Sequence, residues 1–334
     1  MDSQRRISTI ALVIVAVLAM AFAAFFAAKI FLPFVLAFFV AIVIAPVINF
    51  LKKEHKFPEW LAVASGIFLA GMFFSLLSFL VVFSLRRIVT GVNFYRQRLV
   101  SMADQVIDFL SGYGVDLDRT YLLEQIGDLS IFRFVAAAAG RALSFSSSLL
   151  LVFIFVVFLL VGKSFLRSNG KVIQSLTHTL RRYLIVKSII SLITALLVGF
   201  TFEVLNLDMA WIFALITFTL NFIPTIGSIV AVLIPIPVAV VQFTDWLPIV
   251  LVLLVPMVIQ FVLGSIIDPM IVGERVKLHP VTVLLSLLIS GLIWGVLGMF
   301  LAVPIIVTIK ILLSETNFGR DLMQLFGFEA DKSI

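Results

Sequence analysis

The chain has no cysteine, three histidines and only 13% charged residues among its 334 positions. The first absence removes disulfides, thiolate metal sites and cysteine nucleophiles. The histidines, His55, His178 and His279, are scattered, and neither H-E-x-x-H nor G-x-S-x-G occurs, so the usual residues of zinc and serine hydrolases are missing. Nor is there a G-x-x-x-x-G-K-[ST] phosphate loop; any active transport must then draw on an ion gradient. No enzyme activity, metal or cofactor is expected. The shortage of charge excludes most: soluble domains carry about 25% charged residues, and a water-covered surface cannot be built from half of that.

What is present is apolar. Hydrophobic residues make up 62% of the chain, and Phe alone contributes 34. The expected fold is an all-α polytopic membrane protein whose first partner is the lipid bilayer. Its formal charge of +6 reads as topology signals flanking hydrophobic spans rather than a nucleic-acid surface. Arg5 and Arg6 precede an apolar run over 7–28, which is longer than the roughly 7–15 residues of a signal core and suits a retained first span. A second run over 30–51 ends at Lys52, Lys53, His55 and Lys56, and a third covers 60–85. The positive-inside rule puts both basic clusters, and the N-terminus, in the cytoplasm.

Residues 86–142 form a nearly neutral amphipathic insertion, with apolar residues at helical spacing and a break expected near Gly112 and Gly114. It reads as a solvated cap, an oligomerisation arm or a substrate-recognition element. A fourth span over 143–162 leads to Lys163, Arg167, Lys171, Arg181, Arg182 and Lys187, with no acidic residue among them. That cluster is expected in the cytoplasm or on anionic headgroups. The organisation is therefore 1–85 as the first three spans, 86–142 as the insertion, 143–182 as span four with its basic segment, 183–313 as a transport core, and 314–334 as a polar tail that returns the C-terminus to the cytoplasm.

The core is irregular. A span over 185–205 precedes a polar turn at 206–208 and an apolar run over 210–222 that is too short to cross alone. Asn221-Phe222-Ile223-Pro224-Thr225-Ile226-Gly227 follows, then Pro235 and Pro237, a span over 246–264, a polar loop over 268–279, and 33 apolar residues over 281–313. The last stretch is interrupted by Gly291, Gly295, Gly298 and Pro304. It suits either a re-entrant hairpin turning at the glycines or one strongly tilted helix. Broken helices at membrane depth free backbone groups that can hold a solute, and two interrupted segments are the pointer to a transport site. Gly and Pro also serve simple close packing.

Among ionisable residues near the runs, Lys29, Glu203, Asp208 and Asp245 fall where spans end and suit interfacial solvation. Asp268, ahead of Pro269 and a loop holding Glu274, Arg275, Lys277 and His279, could carry a proton, coordinate a cation, cap a helix or pair with Arg275. His279-Pro280 suits a helix start or a proton relay.

Several signatures over 186–313 occur in a specific order: Asn221 to Gly227, Asp268-Pro269 with Val272-Gly273, Leu278-His279-Pro280, and Gly291 to Gly298 leading to Ala302-Val303-Pro304. They resemble the autoinducer-2 exporter family, which is related to permeases and to some sodium (lithium)/proton antiporters. The family often has Tyr and a second Pro where this chain has Thr225 and Ser228, and often Glu where it has Asp268. The resemblance implies about eight transmembrane segments in a bacterial inner membrane, a homo-oligomer with pentamers among the implied assemblies, and export of a small molecule or exchange of ions. Cation/proton antiport and a non-transporting scaffold are the competing functions. The expected substrate or ion pathway comprises Asn221, Pro224, Thr225, Gly227, Asp268, Pro269, Gly273, Gly291, Gly295, Gly298 and Pro304.

Overall fold

The computed structural model describes residues 26, 28–113, 148–162, 171–271 and 279–314. Within these residues the chain is helical, with no strand. Five helices are long and apolar enough to cross a membrane, and shorter apolar helices accompany them. Many large apolar side chains lie on the outside, including Phe68, Phe158, Trp246 and Leu292. Such a surface suits lipid and not water. This is an all-α polytopic membrane protein. The expected first span, 7–28, lies outside the described residues apart from its last positions, as do most of the insertion and the tail.

The elements in order are α1 (Ala28–Lys53), α2 (Glu59–Ser111), α3 (Ser148–Val161), α4 (Lys171–Val204), α5 (Ala210–Leu220), α6 (Ile226–Leu233), α7 (Ile236–Gln242), α8 (Trp246–Gln260) and α9 (Pro280–Ser314). A π-helical segment, Phe261–Ile267, continues α8. They group into two compact units: Met1–Gly71, Leu151–Val186 and Val272–Ile334 form the first, and Met72–Leu150 with Lys187–Ile271 the second.

In the first unit, α1 and the start of α2 make a tight hairpin. Lys52 and Glu59 form an ion pair of 2.8 Å across its turn, and Gly66 lets α2 approach Ile48 so closely that an added Cβ would sit 2.6 Å from that side chain. The core joins Leu32, Phe39 and Ile42 of α1, Leu180, Tyr183 and Leu184 of α4, and Leu301, Val303 and Val307 of α9.

The 281–313 stretch resolves as a re-entrant hairpin. Gly295 has φ 64 and ψ −144, a backbone region essentially reserved for glycine. The Ser286 hydroxyl donates to the Ala302 carbonyl at 2.9 Å, and a Cβ on Gly298 would come 1.9 Å from the Ser290 carbonyl oxygen. In a straight helix residues 286 and 302 would be roughly 24 Å apart. The nested pairs 286/302 and 290/298 therefore define two antiparallel arms turning at Gly295. Each arm is about 20–30 Å long at 1.5 Å per residue, and the stretch folds back on itself instead of forming one rod. His279 supplies the helix start: its carbonyl accepts from the amides of Thr282 and Val283, and its ring Nδ1 accepts from Val281 at 3.3 Å.

The second unit repeats this device with α5, α6 and α7. Its core joins Val198 and Phe202 of α4, Leu207, Ala210 and Phe213, Ala239 of α7 and Val252 of α8. Gly199 allows α4 and α5 to meet, since a Cβ there would lie 2.8 Å from that of Ala214. The open end of the hairpin is tied by Gln242, whose side chain accepts from the Asp208 amide at 2.8 Å and donates to the Asn206 carbonyl at 2.6 Å. Both ends of α5–α7 are thus on one side, and at the tip Asn221, Phe222 and Ile223 are buried while Thr225 is exposed. The helix α2 does not stop at the edge of its apolar part: it runs unbroken for 53 residues to Ser111, about 80 Å, or well over twice the roughly 30 Å hydrocarbon core.

Candidate functional site

The tip of the second-unit hairpin is built by its motif. Asn221 ends α5, and Pro224-Thr225-Ile226 makes a γ-turn in which the Ile226 amide donates to the Pro224 carbonyl at 2.6 Å. Its central residue, Thr225, has φ 61 and ψ −59, a strained conformation for a β-branched residue. Gly227 then passes so near α5 that a Cβ would fall 1.8 Å from the Leu220 carbonyl oxygen. Amides 222, 223, 226, 227 and 229 all find nearby carbonyls. The main-chain donors of the break are thus largely satisfied within the tip, and the unpartnered atoms nearby belong to side chains.

Those side chains come from three elements. Lys187, Ser191 and Thr194 stand at i, i+4 and i+7 on α4, which places them on one face, and all three are buried. Asn221 reaches this face, its side-chain amide donating to the Thr194 hydroxyl at 3.4 Å, while Thr217, one turn back on α5, is also buried. Depth agrees from both helices: Thr194 is about 15 Å from the end of α4 and Asn221 about 16 Å from the start of α5, half of a roughly 30 Å slab.

The third element is α8 with its π segment. Gln260 is 4% exposed, and a Cβ on Gly264 would lie 3.6 Å from both Gln260 Oε1 and the Ser228 hydroxyl. The π turn has a local cause. Pro269 has no amide hydrogen, and its ring would collide with the carbonyl four residues earlier in a regular α-helix. Widening the turn relieves this, and the Asp268 amide bonds to the carbonyl of Leu263, five residues back. The widened turn presents Asp268 to α4, where Lys187 donates to Asp268 Oδ2.

The result is a polar track inside an apolar unit, running from Asn221, Thr194 and Thr217 at mid-depth to the Lys187–Asp268 pair. Five of its atoms have no hydrogen-bond partner among the described residues: Ser191 Oγ, Thr217 Oγ1, both amide atoms of Gln260, and Asp268 Oδ1. Each such buried group costs about 1–3 kcal/mol if left unsatisfied, and in a folded protein it is met by ordered water or by a ligand. They are the groups with which a polar ligand would bond.

This arrangement corrects one expectation outright. Lys187 is no headgroup-facing lysine of a basic cluster, because it is buried and paired with Asp268; a neutralising partner across the unit outweighs snorkelling. The helix bearing it starts at Lys171 and not at 185, and the α8 run extends beyond 264 to Ile271. Of the other expected pathway residues, Asn221 and Gly227 are buried at the tip, Pro224 is half-buried, and Thr225 and Pro269 are exposed. Gly291, Gly295, Gly298 and Pro304 lie in the α9 hairpin of the first unit, and Gly273 is outside the described residues, with Arg275. Sequence reading missed Lys187, Ser191, Thr194, Thr217 and Gln260 as site residues. The i, i+4, i+7 spacing on α4 was the available signal.

A separate cluster marks the open end of the hairpin. Tyr95 donates to Asp208 at 2.7 Å, and Arg98 donates to the Thr244 hydroxyl at 3.0 Å. Burial, followed by the hydrogen bond to Asp208 and that carboxylate's charge, pushes the Tyr95 phenol well above its usual range. The extension of α2 is thereby fastened to the turns that bracket the hairpin.

Comparison with known proteins gives a consistent grouping. The family model for AI-2E family transporters matches residues 12–318. The chain is 28% identical over 313 residues to the AI-2 transport protein TqsA of Escherichia coli K12, covering 90% of each. A Haemophilus influenzae protein, provisionally named a transport protein, is 29% identical over 307 residues, with 87% of this chain and 88% of that one covered. A similarly named protein of Borreliella burgdorferi is 27% identical over 319 residues, covering 90% and 85%.

Proposed function

This chain belongs to the AI-2E family of transporters, and from that membership together with the buried polar track we propose that it is a secondary transporter moving a small polar solute across the bacterial inner membrane. The observation that carries the reading is the set of five unpartnered polar atoms inside the second unit. Lipid cannot satisfy them, whereas a hydroxyl- or carbonyl-bearing solute can. The name of TqsA, an AI-2 transport protein, supports an autoinducer-2-like metabolite as cargo, and export as the direction follows the family resemblance. The orientation follows the basic residues, with both termini cytoplasmic, and assembly as a homo-oligomer follows the family resemblance.

Cation/proton antiport is the second reading, favoured by one observation: Asp268 is a largely buried carboxylate with one oxygen unpartnered. Vesicles containing the purified protein separate the two. Efflux of autoinducer-2 that slows when Thr217 is replaced by Val, with no sodium- or lithium-driven proton movement, supports the solute transporter. Cation-driven proton movement abolished by Asp268→Asn, without solute efflux, supports the antiporter. Inactivity in both assays refutes both and leaves the scaffold role.

A further inference from the structure

The polar track holds two formal charges, and they cancel. Lys187 and Asp268 are bonded to each other with side-chain exposures of 7% and 18%, and the other members, Ser191, Thr194, Thr217, Asn221 and Gln260, are all neutral. Its unpartnered atoms are two hydroxyls, a carboxamide and one carboxylate oxygen. This mixture of donors and acceptors has no net charge with which to attract an ion.

We infer that the Lys187–Asp268 pair is a charge filter that sets the specificity of this site for solutes of zero net charge. The inference rests on reading the polar track as the solute site. An anionic solute would have to compete with Asp268 for Lys187, and a cationic one would compete with Lys187 for Asp268. Either competition would leave one buried charge without its partner. In a site screened by protein and lipid, an unpaired charge is far costlier than the hydrogen bonds an extra hydroxyl supplies. A neutral polyhydroxyl compound avoids this cost, because it bonds Ser191, Thr217, Gln260 and Asp268 Oδ1 while the ion pair stays closed. The π turn contributes by holding Asp268 against α4, so its geometry and the filter are one feature.

The logic extends to the variants. Removing only the cation leaves the track with net charge −1, and removing only the anion leaves it at +1. Removing both restores neutrality without restoring the pair. Charge preference must follow this count if the pair is a filter, whereas a purely structural pair would change stability and leave preference alone.

The test uses three probes on one five-carbon polyol skeleton: ribitol, ribonate and 1-amino-1-deoxyribitol, neutral, anionic and cationic. Binding is measured calorimetrically on the purified full-length protein and on Lys187→Gln, Asp268→Asn and the double variant. Wild type is expected to prefer ribitol by at least about tenfold. Lys187→Gln should shift preference toward the amine by a similar factor and Asp268→Asn toward ribonate, while the double variant returns to ribitol. Since a single variant can fail to fold, the double variant, which buries no lone charge, keeps the test informative. Equal binding of all three probes, binding of none, or a double variant that prefers a charged probe overturns the filter. Charge-ordered binding with no efflux from vesicles preserves the filter and removes the transport reading. Autoinducer-2 efflux from vesicles, with probe binding that ignores charge, does the reverse.

Discussion

The two re-entrant hairpins solve the same backbone problem in opposite surroundings. The α9 hairpin turns at Gly295 and its second arm packs into an apolar core with Phe39, Leu180 and Leu184. The α5–α7 hairpin turns through the strained Thr225 and delivers Asn221 to a face carrying Lys187, Ser191 and Thr194. A helix break is thus not itself a site. In both hairpins the glycines permit close approach, but among the described residues the first unit has one buried unpartnered side-chain atom, Arg181 Nε, whereas the second has a cluster of them on α4, α5 and α8. The two hairpins differ in what surrounds the break.

The glycines give the largest contrast. Gly227→Ala would force a methyl group to 1.8 Å from the Leu220 carbonyl oxygen, and this backbone contact cannot yield as a flexible side chain can. We expect loss of folded, monodisperse protein on size-exclusion chromatography. Gly295→Ala meets nothing within 4 Å and carries only the strain of its positive φ, about 1–3 kcal/mol. That variant should remain folded with a lowered melting temperature; the opposite ranking would undo the close-packing account of the Gly227 tip.

Charge gives the next contrast. Lys187→Met strands Asp268 in the second unit and should cost about 3–5 kcal/mol. Ser290→Ala, which alters the buried polar residue of the other hairpin, should cost no more than about 1.5 kcal/mol. Denaturation of the two purified variants in the same detergent compares them directly, and similar losses would mean that the Lys187–Asp268 pair is not a buried ion pair in solution.

A smaller effect is expected at the open end of the second hairpin. Tyr95→Phe removes the hydroxyl bonded to Asp208 and should cost about 1–2 kcal/mol. The folded-state pKa of Tyr95 is raised, so its contribution is fully present below the unfolded value near 10 and is lost only as pH climbs through the higher folded value. Absorbance titration should find Tyr95 resisting ionisation at alkaline pH in the wild type. In Tyr95→Phe that resistant tyrosine should be gone.

The smallest effect has the opposite sign. Thr217→Val replaces an unpartnered buried hydroxyl with a methyl group of similar size, and stability should rise by up to about 1 kcal/mol. Transport in vesicles should fall. A variant that is more stable and equally active would show that Thr217 does not face the solute.

Much of the architecture was legible in advance. Apolar runs marked the spans, the clusters around 221–227 and 291–298 marked the breaks, and Asp268 stood out as a carboxylate beside a proline. Lys187 was misread because a lysine near other basic residues usually sits at the headgroups, and nothing local announces a partner eighty-one residues away. Gln260 and Thr217 were passed over because neutral polar residues are common in membrane helices and become informative only when their neighbours are known.

By itself, then, the sequence determined that the chain lives in lipid, where its helices lie and where they must break, since hydropathy, glycine and proline act over a few residues of local backbone. Tertiary structure alone decided that 281–313 folds back on itself, that Lys187 meets Asp268, and that the polar side chains of α4, α5 and α8 share one interior. Those outcomes depend on contacts between segments far apart in the chain, whose energies exist only after the helices have packed.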